Sequence, residues 1–170
     1  MNSSPKTSIG LLTSAGYCVG SLLILISAFD FLSTIWPFAP GDVSWRYGAA
    51  GFLAGYTLTP LLGGFLLASV AALAGHQGVL RLIGLLHLLA AILVLAVIGA
   101  FGLDALQIQR QTQPDARDFT NANSARAVIK LVLTLVAVAW VGIAGLRQAR
   151  RLRGATTSRP SELVVGGQPG

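Results

Sequence analysis

The chain has 170 residues, of which 54% are hydrophobic and only 11% charged, and its mean hydropathy is +0.70. A disordered chain is never so apolar, and an ordinary soluble domain carries about 25% charged residues, so both classes are excluded. The formal charge of +6 is concentrated rather than spread, because Arg147, Arg150, Arg151, Arg153 and Arg159 all follow the last apolar stretch. Basic residues in that position fix topology or touch anionic lipid, so the charge predicts membrane lipids as partners and no nucleic acid.

In chain order, residues 1–8 form a short polar lead-in containing Pro5 and are expected to be disordered. Four apolar stretches follow, over residues 9–36, 47–75, 80–103 and 127–146. A hydrocarbon core about 30 Å thick needs about 20 apolar residues at a rise of 1.5 Å each, so every stretch is long enough to cross it as a helix. The predicted fold is all-α, an integral membrane bundle of four transmembrane helices over residues 9–153, with a disordered tail over 154–170.

The first span holds the single cysteine, Cys18, so no intramolecular disulfide can form. It exceeds the 7–15 apolar residues of a secretory signal and is expected to be retained. Gly16 and Gly20 stand at the spacing that lets a second helix approach closely. Ser14, Ser21 and Ser27 lie roughly on one face, which helix packing explains. Asp30 comes six positions before Trp36 and so about 9 Å below the interface by helical rise. Ionisable groups at such depth pair with one another or mark a pathway. An intramembrane ion pair of Asp30 with Arg46 or Lys130 is expected; the alternative is a proton or cation site.

Pro37, Pro40, Gly41 and Asp42 form a turn, flanked by Trp36, Trp45 and Tyr47 as an interfacial aromatic belt. In the second span Gly51, Gly55, Thr59 and Gly63 recur every fourth residue, which predicts a helix-packing face and the centre of the bundle. Pro60 removes an amide donor from the same span and predicts a kink, with Thr57 and Thr59 placed to compensate. The run Ser44-Trp45-Arg46-Tyr47-Gly48-Ala49-Ala50-Gly51, leading to Leu58-Thr59-Pro60-Leu61-Leu62-Gly63, is distinctive enough to be a family signature.

A tight turn over residues 74–78 makes the second and third spans an antiparallel hairpin. The third helix is expected to extend beyond the membrane through Asp104 and Arg110. A sizeable polar loop then runs to Asn123, with Asp115–Ser124 as a solvated connector, before Arg126 and Lys130 open the fourth helix. Seven of the 12 lysines and arginines fall on the side of the two termini, which predicts both termini inside a bacterial cytoplasmic membrane.

Chemistry is sparse. The chain carries neither a Gly-x-Ser-x-Gly elbow nor a His-Glu-x-x-His helix, and no metal-ligand cluster accompanies either histidine. No cofactor is required. The one ligand reading concerns His87, alone inside a span, as a single axial ligand to a haem or a chlorophyll-type pigment. The function expected from small size, close-packing glycines and missing motifs is non-catalytic: an accessory or structural subunit that stabilises a larger membrane complex, such as a respiratory or photosynthetic assembly. Its partners are then other membrane-protein subunits or a second copy of itself. The alternative is a small oligomeric transporter or channel using Asp30.

Overall fold

The computed structural model describes residues 5–157, with side chains described over 10–154. Among the described residues there are five helices and no strand: α1 Pro5–Thr34, α2 Val43–Tyr56, α3 Leu58–Leu73, α4 Gln77–Gln111 and α5 Pro114–Thr157. By length and composition, three of them (α1, α4 and α5) can each cross a membrane, and the bent pair α2 and α3 makes a fourth if counted as one span. Helix starts at Pro5, within the expected lead-in, and runs to Thr157, within the expected tail; residues 1–4 and 158–170 of those two segments lie outside the described residues.

The chain runs up and down between two ends. At one, here the Arg46 end, α1 leads into α2 and α4 into α5; at the other, the Arg81 end, α3 turns into α4. The pair α2 and α3 packs on α1, α4 and α5, whereas the backbone of α1 runs beside α3 and α2 and does not approach α4 or α5. Helix α1 is therefore the edge of the bundle, and much of its apolar surface, including Leu22, Leu25, Ile26 and Phe29, points outward.

The break between α2 and α3 follows from Pro60, which has no amide to give the Tyr56 carbonyl; the two helices bend by 46° there. That bend overturns the expectation of one continuous small-residue face. Gly51, Gly55 and Thr59 are exposed, and the space beside Gly51 and Gly55 is open. Gly63 alone of the four sits in a helix contact: a β-carbon there would lie 2.7 Å from the Gly20 carbonyl oxygen on α1. Gly16 meets Val70 on the same seam. A second close approach joins α4 to α5, where a β-carbon on Gly84 would stand 3.1 Å from the Gly142 carbonyl and 2.9 Å from Leu146.

At the Arg81 end, α3 closes with Gly75 at φ +72°, a left-handed conformation that glycine adopts without the steric penalty of a β-carbon. The His76 amide then donates to the Ala71 carbonyl (2.9 Å) and the Gly75 amide to Ala72 (3.3 Å), satisfying carbonyls that the helix end would leave free. Ala71, Leu80, Ile83 and Ala149 form a buried cluster directly behind this turn.

The expected polar loop is instead helix. Helix α4 ends at Gln111 and α5 starts at Pro114, leaving only residues 112 and 113 between them. Proline fits the first position of a helix because its missing amide has no intrahelical partner there, and Asp115 complements the positive end of α5. The polar run Asp115–Ser124 continues as helix, exposed over its first half and buried at Ser124, and is linked back to α4 by Gln109 Nε2 donating to Asn121 Oδ1 at 2.6 Å. With 35 and 44 residues, α4 and α5 measure about 52 and 66 Å.

Candidate functional site

The densest polar constellation gathers around the start of α2. Asp42 caps the helix, its Oδ1 accepting from the Ser44 amide at 2.8 Å, and this sets the direction of the next three side chains. Successive helical residues point about 100° apart, so Trp45, Arg46 and Tyr47 reach three different neighbours. Trp45 Nε1 donates to the Ile35 carbonyl (2.9 Å), tying the end of α1. Arg46 grips Asp104 on α4 with Nε to Oδ2 at 3.0 Å and Nη2 to Oδ1 at 2.7 Å, while Nη1 donates to the Pro40 carbonyl at 3.0 Å. The Tyr47 ring stacks on Phe101 at a centroid distance of 5.0 Å, and its hydroxyl lies 2.7 Å from Ser124 Oγ on α5. Ser124 spends its own proton on the Thr120 carbonyl (2.8 Å), so Tyr47 is the donor.

A planar guanidinium facing a carboxylate through two hydrogen bonds is the strong form of ion pair. Here the Asp104 side chain is 6% exposed and that of Arg46 35%, so burial is one-sided. The carboxylate needs the pair more than the guanidinium does. With each Arg46 nitrogen engaged, the cluster fastens α2 to the 35–40 turn, α4 and α5.

Asp104, and not Asp30, is thus the partner of Arg46. Asp30 is exposed on the edge helix, and its carboxylate makes no hydrogen bond or ion pair among the described residues; its backbone carbonyl accepts from Ser33 (2.9 Å) and Thr34 (2.7 Å). Lys130 is also exposed, and its ammonium makes no hydrogen bond or ion pair among the described residues; its carbonyl accepts from Thr134 Oγ1 at 2.8 Å. The expected pairing of Asp30 with Arg46 or Lys130 is not made, because α1 turns Asp30 outward while α4 runs beside α2.

His87 lies in the first third of α4, about three turns from its start at Gln77. Its Nδ1 lies 2.8 Å from the Ile83 carbonyl, which can only accept, so Nδ1 carries the proton and Nε2 is an acceptor. The ring lines a cavity of about 310 Å³ beside the α2–α3 break, together with Thr57, Pro60 and Thr134; the hydroxyls of the two threonines are hydrogen-bonded at 2.9 Å. The edge of the ring that carries Nε2 abuts Gly64 of α3 so closely that a β-carbon there would collide with it. A haem or chlorin plane seated on Nε2 would need the space that α3 fills, and the residues present do not fit such a group. Among the described residues no three metal-ligating side chains converge.

The remaining features are peripheral. His76 Nδ1 and the Tyr17 hydroxyl are hydrogen-bonded at 2.8 Å with the rings nearly parallel, joining α1 to the α3–α4 turn. Arg117 donates to the Thr112 carbonyl (3.2 Å), while Asp115 and Asp118 are exposed. Cys18 is an exposed free thiol.

Sequence reasoning missed the Arg46–Asp104 pair, the Gly84–Gly142 contact and the Gly64 notch for His87. For the first, sequence order puts Asp104 at the same end of the bundle as Arg46, but it puts Asp30 there too, and only the packing of α4 beside α2 chooses between them. No protein-family model, curated protein or solved structure matches the chain. What the fold defines is therefore a class alone, an all-helical chain with three, or with the bent pair four, helical stretches able to cross a membrane.

Proposed function

We propose that the chain is an integral membrane protein whose bent α2–α3 pair serves as one of four spans, and that it works as a non-catalytic subunit packed against a larger membrane assembly. Asp30 carries this reading. It belongs to an apolar span, faces outward beside Phe29 and Ile26, and lies four residues, or about 6 Å, inside the end of α1 at Thr34. An ionisable group facing hydrocarbon without a partner is costly, and a donor on a neighbouring protein removes that cost. The edge position of α1 leaves its outward face available to such a neighbour. Helices α4 and α5 are long enough to emerge as a hairpin beyond a core of about 30 Å, and the arginines that follow the last span favour termini on the cytoplasmic side.

The test is extraction in mild detergent. Wild-type protein is expected to co-purify with a second membrane protein in fixed ratio, and Asp30→Leu is expected to lose it while melting at the same temperature. A homogeneous monomer from wild-type membranes under such conditions would sink the subunit reading.

A further inference from the structure

At the Arg81 end, a groove of about 580 Å³ opens between α4 and α5, lined by Arg81 and Leu85 on one side and by Leu146, Arg150, Arg153 and Gly154 on the other. The spacing explains the lining. Arg81 and Leu85 are one helical turn apart, and Leu146, Arg150 and Arg153 are separated by four and three positions, so each set shares a face. Along both helices the arginines sit nearer the bundle end and the leucines deeper, which gives the groove a cationic mouth over an apolar floor.

Among the described residues the acidic side chains lie at the opposite end of the bundle. Five of the six acidic residues of the chain fall among the described residues, namely Asp30, Asp42, Asp104, Asp115 and Asp118, and all belong to the Arg46 end. Arg81 and Arg150 have no carboxylate partner among the described residues. Two guanidinium groups facing one groove favour an anion that takes paired hydrogen bonds, and phosphate does so. A free anion would leave the Leu85 and Leu146 floor unused, whereas a phospholipid fills both halves.

We infer that this groove holds an anionic phospholipid, its phosphate bridged by Arg81 and Arg150 and an acyl chain laid along Leu85 and Leu146. The inference rests on the membrane-spanning part of the proposed function and is independent of the subunit part. Basic pockets between transmembrane helices on the cytoplasmic side are suited to anionic headgroups.

The experiment uses full-length protein in nanodiscs of phosphatidylcholine with and without phosphatidylglycerol, reading lipid retained in native mass spectrometry and the thermal midpoint. Wild type is expected to retain phosphatidylglycerol and to melt higher in its presence. Removing both charges as Arg81→Gln with Arg150→Gln is expected to cut the preference for phosphatidylglycerol about twenty-five-fold, taking about fivefold for each arginine at an anionic surface. Arg147→Gln with Arg151→Gln, on the same helix outside the groove, is expected to keep the preference. Arg81→Lys with Arg150→Lys, a milder change that guards against misfolding, is expected to lose part of it, since lysine cannot present the paired donors.

Equal losses from the 147/151 and 81/150 pairs would show diffuse charge in place of a site. Equal stabilisation by inorganic phosphate in phosphatidylcholine discs would make the ligand a free anion. Either result overturns the inference, as does full retention by the 81/150 variant. A chain that enters no disc overturns the membrane reading as well, whereas insertion without lipid preference overturns this inference alone.

Discussion

Arg46 and Asp104 stand 58 positions apart in sequence and meet through two hydrogen bonds of 3.0 and 2.7 Å that hold α2 to α4. Because Asp104 is the buried partner, Asp104→Ala is expected to cost about 2 kcal/mol, the scale of hydrogen bonds to charged groups, and Arg46→Gln is expected to destabilise as well, since it leaves that carboxylate unpaired. The double variant should cost clearly less than the sum, since both changes delete one interaction. Chemical denaturation in mild detergent, fitted for all four proteins, checks this; additive losses would mean that the two residues act separately.

The contact of Gly20 with Gly63 brings the backbones of α1 and α3 together, and a β-carbon at Gly63 would lie 2.7 Å from the facing carbonyl. Gly63→Ala is expected to destabilise by about 1–3 kcal/mol through overpacking. Gly51→Ala has open space and is expected to be neutral or stabilising, by up to about 1 kcal/mol of helix propensity. Comparing the two thermal midpoints separates a local contact at Gly63 from a packing face extending over the whole glycine stripe.

Gly64 and His87 make a matched notch and projection. Gly64→Ala alone is expected to lose about 1–3 kcal/mol, because the imidazole must move and give up the hydrogen bond to Ile83. Adding His87→Ala should recover part of that loss, since the shortened side chain no longer collides. A double variant as unstable as the sum of the singles would place the strain elsewhere.

Tyr17 ties α1 to the turn that carries His76. Tyr17→Phe keeps the ring and deletes the hydroxyl, and is expected to cost about 0.5–1.5 kcal/mol, towards the lower figure because the bond is exposed. Hydrogen exchange should rise at the amides of His76 and Gly75 with little change near Asp42. Unchanged exchange at that turn would show that the bond contributes nothing to holding it.

Much of the architecture was legible in the amino-acid order because apolar runs of span length have few alternatives. Residues 80–103 became the middle of α4 and residues 127–146 the apolar part of α5. Pro60 announced a break for a covalent reason, its missing amide. The glycine stripe misled for the same reason: a repeat every fourth residue maps to one face only while the helix is straight, and the bend beyond Tyr56 separates Gly51 and Gly55 from Gly63. The polar run Asp115–Ser124 was misread as a loop because composition stood in for a breaker, and inside that run there is none. The partner of Arg46 was not decidable from order alone. Asp30 and Asp104 are both carboxylates at the same end of the bundle, and the choice depends on which helix lies beside α2.

The 46° break at Thr57 divides the means by which the molecule is held together. On the α2 side the fastening is polar and directional, through Trp45, Arg46 and Tyr47; on the α3 side it is steric, through backbones allowed together at Gly63 and the His87 ring seated against Gly64. The two respond to different solvents. Added salt screens the partly exposed guanidinium and leaves the glycine seam untouched, while a detergent that wedges between helices attacks the seam first. Substitutions taken one from each side, such as Asp104→Ala with Gly63→Ala, should therefore add in free energy, as for sites without shared partners.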